Sequence, residues 1–86
     1  YSIKYIQMTN KWSTDSGKLI KTFDFSNFKE ALKFINQVGE VSERLNHHPK
    51  ITNVYNKVSF ELWTHDQNSI TELDHKLANE IDKLLN

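Results

Sequence analysis

Cysteine is absent from the 86 residues, glycine occurs twice, proline once, and neither sign of charge prevails. Without thiols there is no disulfide framework and no Cys-type zinc site. That suits a reducing compartment, so a cytoplasmic location is expected, with a nuclear one also open. Two glycines cannot supply a Gly-rich phosphate loop. Eleven Lys and Arg balance eleven Asp and Glu. No long-range field therefore draws the chain to nucleic acid or an anionic membrane, and neither is expected as a direct partner. No apolar run approaches the roughly 20 residues that span a bilayer. The first residues, beginning at Tyr1, do not read as a signal peptide.

What is present is globular in proportion, 37% hydrophobic and 26% charged, at a length that suits one domain over residues 1–86. Ile3, Tyr5, Ile6 and Met8 fit an extended arm or the end of a helix. Lys11–Thr14 and Leu19–Phe25 read as two strands joined over Asp15-Ser16-Gly17, with Gly17 supplying a positive φ in a three-residue turn. Ser26-Asn27, with Glu30 three residues on, marks a helix start. The helix runs from about Phe28 to Asn46. Its apolar stripe is Phe28, Ala31, Leu32, Ile35, Val38 and Leu45, widened by Phe34 and Val41. An arc that wide is explained equally by deep burial and by a partner helix. Pro49 bars further helix. Lys50–Tyr55 and Val58–Thr64 read as a hairpin around Asn56-Lys57. Ser69-Ile70-Thr71-Glu72 reads as a capping box, followed by a stripe of Ile70, Leu73, Leu77, Ile81, Leu84 and Leu85. The order strand-strand-helix-strand-strand-helix predicts an α+β fold: a four-stranded antiparallel sheet with two helices on one face. A third helix is allowed by residues 1–8.

The histidines are where the chain ceases to be generic. With Asn56 and Lys57 in the turn, His48 lies opposite His65; with one more turn residue, His47 does. Either register gathers three imidazoles at one end of the sheet. Imidazole ordinarily titrates near neutral pH, so such a group can hold an acid and a base together. Glu43, four residues before His47, can orient it, and Asp74 on the last helix can reach the same rim. The plainer alternative makes His47 and His48 a polar helix exit, Glu43 and Asp74 solvated charges, and Trp63 sheet packing. Three imidazoles also invite a metal, but adjacent histidines in extended chain point apart and no carboxylate has a customary ligand spacing. No metal site is expected. No Ser or Cys nucleophile stands beside a base.

Glu43, then His47-His48-Pro49, then Tyr55, His65 and Asp74, at separations of three, five, nine and eight intervening residues, form one pattern. Together with Phe23-Asp24-Phe25, Asn53–Val58 and Trp63-Thr64-His65, it resembles the pterin-4a-carbinolamine dehydratase family from about Trp12 to the C-terminus. Asn46 stands where that family often has Asp. The resemblance implies dehydration of 4a-hydroxytetrahydrobiopterin to quinonoid dihydropterin, in support of tetrahydrobiopterin recycling, with no metal or redox cofactor. It implies His47 and His65 as the catalytic pair, His48 as a further catalytic and pterin-contacting residue, and Pro49, Thr64, Glu43 and Asp74 as pocket or supporting positions. It also implies a homodimer or homotetramer. Some family members serve instead as a dimerisation module for a transcription factor, which makes a non-catalytic interaction role the alternative.

Overall fold

The computed structural model describes residues 11–85. Residues 1–8, and with them any third helix, lie outside the described part. The elements are β1 (Ser13–Asp15), β2 (Lys18–Asp24), α1 (Phe28–Leu45), β3 (Lys50–Val54), β4 (Lys57–Leu62) and α2 (Glu72–Lys83). The strands form one antiparallel sheet in the order β1-β2-β4-β3. The α+β architecture is as the sequence pattern predicts.

Alternation along β2 and β4 decides which face the helices cover. Leu19, Lys21 and Phe23 share a face with Val58, Phe60 and Leu62, and all six are buried. Phe34 and Val38 of α1 and Leu77 and Ile81 of α2 close over them. Phe23, Phe34 and Phe60 meet with centroids 5.1–5.9 Å apart. Each fully buried large apolar side chain stabilises the fold by about 1.5–3 kcal/mol. Among the described residues on this face of β2 and β4 the one cation is Lys21, which reaches Asp82 of α2 at 2.8 Å, and Trp12 Nε1 donates to the same carboxylate.

Four local expectations change. Ser16 and Gly17 both have positive φ and directly bridge Asp15 and Lys18, so the first turn is a two-residue, type I′-like turn. The buried stripe of α1 is Ala31, Phe34, Val38, Val41 and Ser42, while Phe28 and Leu32 are 46% and 43% exposed. Helix α2 begins at Glu72 with Thr71 as its N-cap, two residues later than Ser69 would start it. Its inward side then reads Asp74, Leu77, Ala78, Ile81, and Leu73 turns outward.

The fourth change concerns the hairpin. Val54 pairs with Lys57 and Lys50 with Glu61, so the turn residues are Tyr55 and Asn56. Two asparagines select this register. Asn53 Nδ2 donates to the carbonyls of Tyr55 and Lys57, and Asn56 exchanges two hydrogen bonds with the Phe25 backbone. Extended past its last pair, this register would set His48 opposite Trp63 and His47 opposite Thr64. Direct facing of His65 by either histidine is therefore overturned.

Candidate active site

The imidazoles nevertheless line one cleft, brought there by the ends of the elements rather than by a ladder. Helix α1 stops at Asn46, whose left-handed backbone (φ 54°, ψ 42°) lets its N–H reach Glu43 O while His47 N–H reaches Ser42 O. This is a Schellman closure, and asparagine tolerates the conformation better than most residues. It fixes the backbone of His47 against the last turn. On the other side, β4 ends at Leu62. Thr64 then bridges Ser69, folding His65–Asn68 into a tight turn. Strand β4 is thus shorter than expected, and His65 lies in the turn after it.

Asn46, His47, His48, Thr64, His65, Asp66 and Leu73 line an open cleft of about 240 Å³. All three predicted imidazoles and Thr64 are among them. Pro49 is not in the lining; it directly precedes β3. No sequence pattern marks Asp66 as a lining residue, and the helical spacing points Leu73 to the core stripe rather than to the cleft.

Two carboxylates stand behind the rings, paired differently than expected. Glu43 meets His48, not His47, at 2.6 Å between Oε2 and Nε2. Both side chains are more than half exposed, so the pair contributes at most about 1 kcal/mol. Asp74 meets His47, with Oδ1 2.6 Å from Nε2. This pair is sequestered, with Asp74 fully buried and the His47 side chain 11% exposed. Far from a solvated helix charge, Asp74 is the capping-box residue of α2. Its Oδ2 accepts from the Thr71 N–H at 2.9 Å and from Thr64 Oγ1 at 2.8 Å. Having given its proton to Asp74, Thr64 accepts from the Thr71 hydroxyl at 2.6 Å.

Burial alone would raise the Asp74 pKa. The hydrogen bonds from His47, the Thr71 amide and Thr64, together with the charge of His47, outweigh it and hold the carboxyl below its usual range. An ionised Asp74 can only accept, so the proton between the two residues sits on His47 Nε2. When that ring is neutral, Nδ1 is the free acceptor. The site thus offers one imidazole in a fixed tautomer, one bound to an exposed carboxylate, and His65, whose ring has no hydrogen-bond partner among the described residues. Among those residues, no three His, Cys, Asp or Glu side chains are grouped to hold a metal ion. Among the described residues no helix is long and apolar enough to cross a membrane.

Residues 3–84 match the family described as Pterin 4 alpha carbinolamine dehydratase. The chain belongs to the pterin-4a-carbinolamine dehydratase family. A relative from Prochlorococcus marinus (strain NATL2A), provisionally named as such a dehydratase, is 45% identical over 95% of this chain and 86% of its own length. Another with the same provisional name, from Sulfurisphaera tokodaii, is 47% identical over 86% of this chain and 80% of its own. A crystal structure of a transcriptional coactivator/pterin dehydratase from Brucella melitensis superposes with a TM-score of 0.81 at 32% identity, covering 92% of this chain and 84% of that one. A pterin dehydratase-like protein identified as a RuBisCO assembly factor in the alpha-carboxysome shares the fold at a TM-score of 0.72 and 20% identity, covering 92% of each chain. Family membership is thus shown by sequence and fold together.

Proposed function

We propose that this chain is an active dehydratase that converts a pterin 4a-carbinolamine to quinonoid dihydropterin and water. The observation that carries the reading is the cleft itself, in which three imidazoles are gathered and one is tautomerically fixed by a buried carboxylate.

The reaction breaks the C4a–O bond while the N5–H bond gives its electrons to a new C4a=N5 double bond. One proton leaves N5 and one joins the departing hydroxyl, which goes as water. His47, with Nδ1 free, suits the base. His65, exposed in the cleft lining and without a hydrogen-bond partner among the described residues, suits the acid, and the two transfers contribute typically about 10²–10⁴-fold each. His48, in the same lining, is assigned contact with the ring, and Leu73 gives the cleft an apolar wall for a flat bicycle. Thr64 and Asp74 act through His47, and Glu43 acts through His48.

Steady-state dehydration of a synthetic 4a-hydroxytetrahydropterin by the purified chain tests this. Turnover should be abolished when His47 and His65 are both replaced by Gln. Near-normal turnover in the double variant would overturn the assignment.

A second reading adds self-association to catalysis, as a homodimer or homotetramer. It is favoured by Phe28 and Leu32, one turn apart on α1 and exposed. Phe34 cannot serve this purpose because it belongs to the core. Leu32→Glu should lower the sedimenting mass while leaving the cleft folded; an unchanged mass would remove this reading. A purely non-catalytic module remains the outcome if wild-type chain gives no turnover.

A further inference from the structure

His47 and His48 are each held by a carboxylate, but His65 is not. It occupies an exposed turn, and its backbone carbonyl accepts only a long bond, 3.3 Å, from Asn68 N–H. A side chain so placed samples several rotamers unless something else restrains it. What it touches is Trp63. The two rings lie 4.5 Å apart between centroids with 40° between their planes. Trp63 alternates with the core residues Leu62 and Thr64, so its indole stands on the sheet face away from the helices, half-buried.

The indole is itself restrained. The β2–β4 register ends at Leu19 opposite Leu62, and one step further Lys18 falls opposite Trp63. The Lys18 ammonium lies 4.5 Å from the centre of the Trp63 ring and 3.8 Å from Glu61. A cation over the face of indole is attracted by its quadrupole. Glu61, Lys18, Trp63 and His65 therefore form a chain of contacts running from the end of β4 to the cleft.

We propose that Trp63 is a positioning residue for His65, holding the imidazole by a tilted ring contact. A carboxylate would occupy one ring nitrogen, as Asp74 does on His47. Stacking restrains the ring and leaves both nitrogens of His65 available to a substrate. The proposal takes from the dehydratase reading only the role of His65 as proton donor; the restraint is measurable without turnover.

Two measurements test it on the intact chain. Side-chain couplings and ring-proton shifts of His65, read by NMR, should report one dominant χ1 rotamer and an upfield ring-current shift in the wild type. In Trp63→Leu the shift should vanish and the couplings should average. In Trp63→Phe, which keeps an aromatic face, most of both should be recovered. In the dehydration assay, Trp63→Leu should lower kcat about 10-fold with KM changed less than about threefold, and Trp63→Phe should recover most of the loss. Unchanged His65 couplings and shifts in Trp63→Leu would overturn the proposal. So would lost stacking with unaltered kcat, or an equal loss of kcat in Trp63→Phe. A wild-type chain without turnover would sink the dehydratase reading alone, and the NMR comparison would then decide this one.

Discussion

His47 and Asp74 are 27 positions apart in sequence, yet Nε2 and Oδ1 lie 2.6 Å from one another. The contact joins the exit of α1 to the first turn of α2. Asp74 thereby serves the fold and the site at once: one oxygen closes the capping box of α2, and the other orients an imidazole in the cleft. Because the capping N–H and the Thr64 hydroxyl converge on Oδ2, Oδ1 is left free for the ring. A carboxylate shared in this way cannot move for one purpose without disturbing the other.

Asp74→Asn is predicted to impair turnover far more than binding. The amide can still accept from Thr71 N–H and Thr64, but it then presents N–H to His47 and forces the ring's proton onto Nδ1. The base is lost while the shape is kept. On the dehydratase reading kcat should fall roughly 10²–10⁴-fold with KM within a few-fold. Steady-state kinetics of the variant check this, and a kcat near wild type would mean that the His47 tautomer does not matter.

The same carboxylate makes stability depend on acidity. Its folded pKa lies below the ordinary 3.8, so the unfolded chain binds its proton first as the pH falls. Its contribution is complete above that value and is lost as the pH drops through the lower folded pKa. The urea midpoint of the wild type should therefore fall more steeply than that of Asp74→Asn between about pH 5 and about pH 3, the gap narrowing toward the acid end. Parallel curves would assign the acid sensitivity to other groups.

Periodicity made most of this molecule legible. Alternation in β2 and β4 and the apolar spacing of both helices gave the sheet and the layers, whereas the histidines line one cleft by a route other than the hairpin register that pointed to them. Registers and caps were less accessible, because they turn on competing polar side chains. Ser69-x-x-Glu72 and Thr71-x-x-Asp74 both satisfy the capping pattern, and burial of Asp74 beneath Thr64 favours the second. Asn56-Lys57 looks the better turn, yet the bonds from Asn53 and to Phe25 move it to Tyr55-Asn56, with Tyr55 at φ 51°. The signal for a buried Asp74 was present: with Leu77, Ala78 and Ile81 it completes a core-facing spacing.

The cation in the core predicts an asymmetry between two substitutions. Lys21 is 8% exposed, whereas its partner Asp82 is 37% exposed and also accepts from Trp12. Removing the acid strands a buried ammonium and an indole N–H; removing the base leaves a carboxylate that water and Trp12 can satisfy. Asp82→Ala should cost about 3 kcal/mol, and Lys21→Met, which refills the space with an apolar chain, no more than about 1 kcal/mol. Urea unfolding of the two variants measures the difference, and equal losses would show that Lys21 keeps enough water to stand alone.

Asn46 carries two separable tasks. Its backbone takes the left-handed conformation that ends α1 and sets the direction of His47, and its side chain lines the cleft. Glycine performs the first task and deletes the second; alanine fails at both. Asn46→Ala should thus lose about 1 kcal/mol, from forcing a Cβ-bearing residue without a compensating side chain into positive φ. Asn46→Gly should stay within about 0.5 kcal/mol of wild type. If the side chain also contacts the pterin, Asn46→Gly should raise KM several-fold while kcat holds, because His47 keeps its backbone anchor to Ser42 O. A KM unchanged in Asn46→Gly, at preserved stability, would confine Asn46 to the helix end and leave ligand recognition to the histidines, Asp66 and Leu73.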